Sequence, residues 1–146
     1  MTQHFRRIVE GVYASPQISL ADVELARAMG VSLIINNRPE LESSDQTPGA
    51  EIEAAARAAG IGYVAIPVTH AGFSEPQVKA MGAALEKATG PILAYCRSGT
   101  RSTLLWALAE ASKGADPDDL AEAAAQAGYD VAPIRTLLDM LASRAG

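Results

Sequence analysis

The sequence predicts an α/β fold: a mostly parallel sheet of four to five strands flanked by helices, followed by an all-helical C-terminal part. Three observations support this. Short apolar runs rich in β-branched residues recur about every 30 residues, as strands buried on both faces do. Amphipathic helical patterns separate the runs, and such alternation implies parallel pairing through right-handed crossovers. After residue 102 the pattern is helical only. The length of 146 residues suits one domain, expected over residues 1–146.

Three apolar runs are the expected inner strands. They span residues 31–35, 63–66 and 92–95, and each comes after a glycine, at position 30, 60 or 90, that ends a helical pattern. Glycine is favoured there because it adopts the left-handed conformation without steric cost. An earlier strand is expected over residues 9–14, antiparallel at an edge of the sheet.

The helices have recognisable starts. Ser19 and Ser74 each precede an acid or amide by three residues, which is the spacing of a capping box. Asp116 precedes Pro117, so a cap is followed by the residue preferred at the first helical position. The polar, proline-flanked stretch 39–48 is expected to be a loop. The helices of the second half are expected near residues 102–113, 117–127 and 132–143.

Composition excludes several classes of function. The net charge of -5 offers no broad basic face for nucleic acid or an anionic membrane. The one cysteine, Cys96, rules out an internal disulfide and is typical of a reducing compartment. Because no signal-type segment or membrane-spanning apolar run is found, we expect a cytoplasmic protein. The two histidines and one cysteine are widely scattered, so neither a metal nor a cofactor is expected.

The most informative feature is a loop sequence between an apolar strand and a helical pattern, Cys96-Arg97-Ser98-Gly99-Thr100-Arg101-Ser102. Ligands bind at the carboxyl ends of strands in such sheets. The small residues let backbone N–H groups turn inward as an anion-binding nest, and the helix N-terminus adds positive potential. Arg101 supplies a planar charged fork for an oxyanion, and Ser102 could hydrogen-bond the thiolate or a leaving group. These surroundings favour the thiolate, which is the nucleophilic form of cysteine.

Several residues near this loop allow two interpretations. Cys96 could be a structural core cysteine, although the adjoining glycine and two arginines favour a functional anion loop. Arg38 follows the first central strand, so it could add charge to the pocket as an anion ligand or pair with Glu40 or Glu42. Trp106 lies on the helix behind the loop and is expected in the core.

The cysteine run resembles two families, the tyrosine and dual-specificity phosphatases and the rhodanese-type sulfurtransferases. Four residues separate Cys96 from Arg101, whereas the phosphatase signature has five, and Tyr95 stands where phosphatases usually have histidine. With residues 10–17 and 33–40, the run is similar to the phosphatase-like domain of beta-lactamase-hydrolase-like proteins, over about residues 5–112. The resemblance implies a cysteine-phosphatase-like fold, and relatives in this group are commonly assigned sulfur transfer.

A phosphatase of this type also needs a general acid on a separate loop. The resemblance puts it after residues 66–68, where Thr69 and His70 stand, with Glu75 further on and no aspartate. His70 could protonate a leaving group, or it could be a loop histidine without a chemical role. Asp45 is an outside candidate, with a solvated loop residue as its plainer interpretation.

Three functions are compatible with these residues. Loop length favours a sulfurtransferase, because a shorter ring of amides fits the terminal sulfur of a persulfide better than a phosphate. Cys96 would take a sulfane sulfur from thiosulfate or a small persulfide and pass it to a thiol acceptor, while Arg97 or Arg38 steers the anionic donor. The alternative is a phosphatase that acts on a phosphoester through a phosphocysteine. The third is a non-catalytic oxyanion-binding module, whose apolar helix at residues 131–142 could form a partner or homo-oligomer interface.

Overall fold

The sheet lies between two groups of helices. The structure is a computed structural model that describes residues 5–145, so residues 1–4 and 146 of the expected domain lie outside the described residues. The strands are β1 (Arg6–Val9), β2 (Val12–Ser15), β3 (Leu33–Asn36), β4 (Gly62–Ala65) and β5 (Ile92–Tyr95). The helices are α1 (Leu20–Ala28), α2 (Gly49–Ala58), α3 (Glu75–Lys87), α4 (Thr100–Ser112), α5 (Pro117–Gln126) and α6 (Arg135–Ala145), and a short 3₁₀ helix at Ala132–Ile134 precedes α6.

The strand order is β1-β2-β5-β3-β4. Strand β1 pairs antiparallel with β2, and the other neighbours pair in parallel. The predicted α/β class, the mostly parallel sheet and the helical C-terminal part are therefore confirmed. Because β5 pairs with β2 on one side and β3 on the other, the loop between β5 and α4 lies in the middle of the sheet's carboxyl edge.

The single strand expected over residues 9–14 is wrong. These residues contain the turn of a hairpin, since β1 ends at Val9 and β2 begins at Val12. Gly11 has a φ of 85°, and a positive φ in a tight turn lets the chain reverse within two residues. Only the first arm of this hairpin is an antiparallel edge strand, whereas the second runs parallel to β5.

The predicted helix starts are confirmed. Ser19 and Ser74 form complete capping boxes with Asp22 and Gln77, and the Asp116 side chain accepts a hydrogen bond from the Asp118 N–H. The expectation for Gly90 is wrong, because α3 ends at Lys87 and Ala88 leaves the helix in an extended conformation. The Gly90 N–H instead donates to Ser32 Oγ at 3.0 Å.

Two hydrophobic clusters cover the two faces of the sheet. One joins β-strand residues to α3, α4, α5 and α6 and includes Trp106, Leu138 and Ile134. The other joins the opposite face to α1 and α2 and includes Ile18 and Ile52. Trp106 is thus a core residue, as expected, and α6 packs against the core through its apolar face. No helix in the described part of the chain is both long enough and apolar enough to cross a membrane.

Candidate active site

Cys96 lies at the carboxyl end of three paired strands. Ser15, Tyr95 and Asn36, which end β2, β5 and β3, are in register across the sheet. The Cys96 N–H donates to the Ser15 carbonyl at 3.2 Å, and the Asn37 N–H donates to the Tyr95 carbonyl at 2.8 Å. Cys96 is completely buried. Strands on both sides therefore fix the position of the sulfur.

The loop after Cys96 turns back over the sulfur. The Gly99 N–H donates to Cys96 Sγ at 3.1 Å, and Gly99 is the N-cap of α4 with a φ of 93°. This left-handed backbone favours glycine strongly. Ser98 Oγ accepts a hydrogen bond from the Thr100 N–H at 3.3 Å. The sulfur thus lies at the N-terminus of α4, where the helix dipole stabilises negative charge.

Four backbone N–H groups of this loop lack a protein acceptor. Across residues 5–145, none is found for the N–H groups of Arg97, Ser98, Arg101 and Ser102. Two of these groups belong to the first turn of α4, where leading N–H groups have no partner inside the helix. A bound anion would satisfy them. The arrangement fits the anion-binding role predicted for the loop, which stays a prediction.

Arg101 is held along one edge of its guanidinium. Nη1 and Nη2 donate to the two Glu42 carboxylate oxygens, at 2.8 Å each, and Nη1 also donates to the Val68 carbonyl at 2.7 Å. On the other edge, the Nε N–H and the second N–H of Nη2 have no oxygen acceptor within the described residues. Glu42 raises the pKa of Arg101, burial opposes this rise, and the nearby Cys96 sulfur adds to it. A two-donor edge beside the sulfur suits an oxyanion.

Glu42 connects two arginines. Its Oε1 also accepts from Arg38 Nε at 2.9 Å. The remaining Arg38 nitrogens donate to Gln17 and Ser43, and Arg38 is 5% exposed. The hydrogen bond from Arg101 lowers the pKa of Glu42 to about 2, with burial opposing this effect and Arg38 adding to it. Of the two roles expected for Arg38, the structure shows the pairing with Glu42, and the role of Arg38 as a direct anion ligand stays a prediction.

The Ser102 hydroxyl is engaged by Asn37 in this structure, so its expected hydrogen bond to the thiolate or a leaving group stays a prediction. Ser102 Oγ donates to Asn37 Oδ1 at 2.8 Å, and Asn37 Nδ2 donates to the Ile66 carbonyl at 2.9 Å. Ser102 and Asn37 are both fully buried. Ser102 therefore ties the start of α4 to the end of β3, and its backbone N–H remains for an anion.

The candidate general acids lie in exposed segments. His70 is exposed in the turn after Val68, where the Gly72 N–H donates to the Thr69 carbonyl at 3.2 Å. Glu75 is an exposed residue at the start of α3. Because Val68 contacts Arg101, this turn adjoins the site, but no hydrogen bond within residues 5–145 joins His70 to the cysteine loop.

Asp45 is near the positive groups of the site. Its Oδ1 accepts from Ser43 Oγ at 2.7 Å. This hydrogen bond lowers the pKa of Asp45, and Arg38 and the exposed Arg97 contribute to the same direction. A carboxyl group with a lowered pKa is ionised at neutral pH, so Asp45 is poorly suited to donate a proton.

Sequence reasoning missed Tyr129 and the link between Glu42 and Arg101. The Tyr129 hydroxyl donates to the Ser98 carbonyl at 3.2 Å, across 31 residues of sequence. Glu42 and Arg101 are 59 residues apart. Neither contact has a local sequence signal, because hydrophobic periodicity and caps describe only neighbours along the chain.

Two sequence comparisons agree on a family. The family model for the phosphatase-like domain of beta-lactamase hydrolase-like proteins matches residues 4–113. A beta-lactamase hydrolase-like protein from Agrobacterium fabrum is 36% identical over 108 residues, covering 74% of this chain and 25% of that protein. The chain thus spans about a quarter of the length of the curated relatives it matches.

Solved structures share the fold. A candidate phosphatase from Neisseria meningitidis has 34% sequence identity and a TM-score of 0.83, with 94% of this chain and 98% of that chain covered. The active form of a protein named Tk-PTP has a TM-score of 0.76 with 15% identity, covering 99% of both chains. At that identity the likeness shows the fold alone. The fold is phosphatase-like, of the cysteine-phosphatase type.

Proposed function

Because the chain belongs to the family of phosphatase-like domains of beta-lactamase hydrolase-like proteins, we propose that it is a cysteine-dependent phosphatase acting on small phosphoesters. One observation carries the proposal. The buried Cys96 sulfur, the loop N–H groups without a protein acceptor and the Nε–Nη2 edge of Arg101 all belong to residues 96–102 of the described chain. Together they offer a nucleophile and donors for the oxygens of one phosphoryl group.

In the first step, the Cys96 thiolate attacks phosphorus and an S–P bond forms. The P–O ester bond breaks, and its electron pair leaves with the ester oxygen. The loop N–H groups and the Nε–Nη2 edge of Arg101 hold the three non-bridging oxygens, whose charge the transition state retains. Glu42 keeps the guanidinium in position by occupying the opposite edge.

In the second step, water attacks the phosphocysteine. The new P–O bond forms as the S–P bond breaks, so inorganic phosphate leaves and the thiolate is restored with its electron pair. A proton from the attacking water goes to the solvent or to a base at the pocket rim. The same donors stabilise both transition states, since the phosphoryl oxygens keep their positions.

None of the candidate acids near the site is well suited to protonate the leaving group. His70 is exposed, Glu75 is exposed, and Asp45 and Glu42 have lowered pKa values. The favoured substrates are therefore phosphoesters whose leaving oxygen departs as a stable anion, such as aryl phosphates, because these depend least on an acid.

Turnover of p-nitrophenyl phosphate tests the proposal. Cys96→Ser should lower kcat about a thousandfold or more, since the nucleophile is lost. Arg101→Ala should lower kcat/KM about a hundredfold or more. Arg135→Ala is the matched control, because Arg135 is also ion-paired but lies on α6, with Asp118 and Asp139 as partners. Turnover that survives Cys96→Ser would contradict the proposal, and oxyanion binding without any turnover would favour a binding module.

Sulfur transfer is the second candidate, and the loop length favours it. Only four residues separate Cys96 from Arg101. The Cys96 thiolate would attack the sulfane sulfur of thiosulfate, so that a new S–S bond forms, the donor S–S bond breaks and sulfite leaves with the electron pair. A thiol acceptor would then take the outer sulfur. Loop length alone would put sulfur transfer first. The phosphatase is put first here because the matched domain family and the Neisseria meningitidis structure carry phosphatase names.

Intact-mass measurement after thiosulfate treatment tests this second candidate. Sulfur transfer predicts one added sulfur, reversed by a small thiol and absent in Cys96→Ser. No adduct with thiosulfate or with a small persulfide would exclude it. Arg97→Ala should slow adduct formation if Arg97, which is exposed, steers the anionic donor as expected.

A further inference from the structure

Tyr129 reaches the cysteine loop from the C-terminal helices. Helix α5 ends with the Gly128 N–H donating to the Ala125 carbonyl at 3.0 Å and the Tyr129 N–H donating to the Ala124 carbonyl at 2.9 Å. This pair of bonds is a Schellman motif, which fixes the direction in which the chain leaves a helix. Arg6 Nη1 on β1 donates to the Ala127 carbonyl at 3.2 Å. The turn that carries Tyr129 is therefore anchored to both α5 and the sheet.

A single peptide group joins Tyr129 to the sulfur. Its carbonyl oxygen, from Ser98, accepts the Tyr129 hydroxyl at 3.2 Å. Its N–H, from Gly99, donates to Cys96 Sγ at 3.1 Å. Turning this peptide over would break both hydrogen bonds at once. Donation to the carbonyl also polarises the peptide, which strengthens the hydrogen bond that its N–H makes.

The tyrosine also closes the space around Gly99. A Cβ atom at position 99 would collide with the Tyr129 hydroxyl, and it would lie 3.2 Å from the Ser15 carbonyl carbon. Gly99 is buried. The loop is thus held between β2 and Tyr129, so it has little room to rearrange in the free protein.

We propose that Tyr129 is a positioning residue that locks the Ser98–Gly99 peptide with its N–H on the Cys96 sulfur and so stabilises the thiolate. The residue acts through the loop and does not need to touch substrate. It lies outside residues 4–113, the stretch matched by the family model, which gives the C-terminal helices a part in the reaction. The inference rests on the proposed function only in that Cys96 is the nucleophile, and both candidate reactions require the Cys96 thiolate.

Several charged and titratable groups face this part of the site. Arg101 on α4 interacts with the sulfur, and Glu42 neutralises part of its charge. Arg97 belongs to the loop itself, and Arg6 on β1 faces Tyr129. Burial raises the pKa of Tyr129 above its usual value, with Arg6 opposing this effect and the Cys96 sulfur adding to it. Tyr129 therefore remains a protonated donor at neutral pH.

The test is a thiolate titration by ultraviolet absorbance, which needs no substrate. Cys96 is the only cysteine, so subtracting the spectrum of Cys96→Ser isolates its signal. Tyr129→Phe keeps the ring and removes the hydroxyl. We expect the titration midpoint to rise by about 0.5 to 1 pH unit, so that the thiolate fraction below the midpoint falls about three- to tenfold. Where phosphatase activity is present, the acid limb of its pH–rate profile should shift to higher pH by the same amount.

Tyr63→Phe is the matched control. The Tyr63 hydroxyl accepts a hydrogen bond from Asn36 Nδ2 at 3.0 Å and interacts with the buried Tyr95 side chain. This variant therefore also loses a hydroxyl hydrogen bond, but none to residues 96–102, and its midpoint should not move. An unchanged midpoint in both Tyr129→Phe and Tyr129→Ala would overturn the inference. A shifted midpoint in a protein that hydrolyses no phosphoester would leave the inference standing and count against the phosphatase alone.

Discussion

The cysteine loop and the turn that follows Val68, whose carbonyl accepts a hydrogen bond from Arg101, differ in how firmly they are held. The cysteine loop, residues 96–102, is fixed by bonds from β2, from α4 and from Tyr129. The turn at residues 69–73 is largely exposed, and its hydrogen bonds within the described chain connect it only to itself. The nucleophile and the anion donors are therefore preorganised, whereas the place expected for a general acid is left open to solvent.

This difference has a chemical consequence. Preorganised donors contribute to the transition state without reorganising during the reaction. An exposed side chain in a self-supported turn contributes less, because it must be ordered first and its charge is screened by water. Substitutions in the cysteine loop or its supports should therefore cost much more than substitutions in the turn.

The largest effect after loss of the nucleophile is expected for Arg101→Lys. A lysine ammonium keeps the charge but cannot hold Glu42 with one edge and an oxyanion with the other. We expect kcat/KM for p-nitrophenyl phosphate to fall about a hundredfold, with Arg135→Lys as the unaffected control. A loss of about threefold or less would show that the guanidinium edge does not hold the phosphoryl group.

Glu42→Gln tests the support beneath the loop. The pKa of Glu42 falls from 4.5 to about 2 in the folded protein, so its contribution to stability is fully present above its ordinary pKa. This contribution is lost as the pH drops through the pKa that Glu42 has in the folded protein. We expect Glu42→Gln to lower the free energy of unfolding by on the order of 2 kcal/mol at neutral pH, because it leaves two arginines without their carboxylate.

The pH dependence distinguishes this role from a general loss of packing. The difference in the free energy of unfolding between wild type and Glu42→Gln, measured by urea unfolding, should decrease steadily from about pH 5 towards pH 2. Glu53→Gln is the control, because Glu53 pairs with Arg57 on the exposed face of α2, where such pairs contribute little. A difference in the free energy of unfolding that is the same at neutral and at strongly acidic pH would contradict the ion pairs of Glu42 with Arg38 and Arg101.

The smallest effect is expected for His70→Ala. Because His70 is exposed and p-nitrophenolate leaves without a proton, kcat/KM should fall less than about fivefold. A series of aryl phosphates with poorer leaving groups makes the measurement more sensitive, with Glu75→Gln measured beside it. A loss of about a hundredfold or more that grows as the leaving group worsens would show that His70 is a general acid, and the open turn would then be part of the catalytic machinery.

The sequence predicted those helices and strands that are determined by residues close together along the chain. Ser19 and Ser74 begin helices because their capping boxes satisfy N–H groups within one turn. The alternation of strand and helix predicted the parallel sheet and put Cys96 at its carboxyl edge. The hairpin at Gly11 was missed because β1 begins with two arginines and only two residues separate its arms, so no continuous apolar run marks either arm as a separate strand.

The site was predicted only where it is local in sequence. Cys96 and Arg101 share one loop, so their spacing is visible in the chain. Glu42 and Tyr129 reach the same loop through the tertiary fold, and Ser102 donates to Asn37 across 65 residues. Such contacts decide which donors remain for a ligand. For this reason the sequence placed Arg38 near the site but could not decide between an anion and Glu40 or Glu42 as its partner.

Trapping the covalent intermediate is the decisive measurement for the phosphatase mechanism. Wild-type protein is mixed with an excess of p-nitrophenyl phosphate and quenched within the first turnovers, and its peptides are analysed by mass spectrometry for a phosphoryl group on sulfur. We expect a phosphoryl group on Cys96 that forms and decays at the rate of turnover and is absent in Cys96→Ser. Turnover without any adduct on Cys96, or an adduct only of sulfur after thiosulfate, would contradict this mechanism.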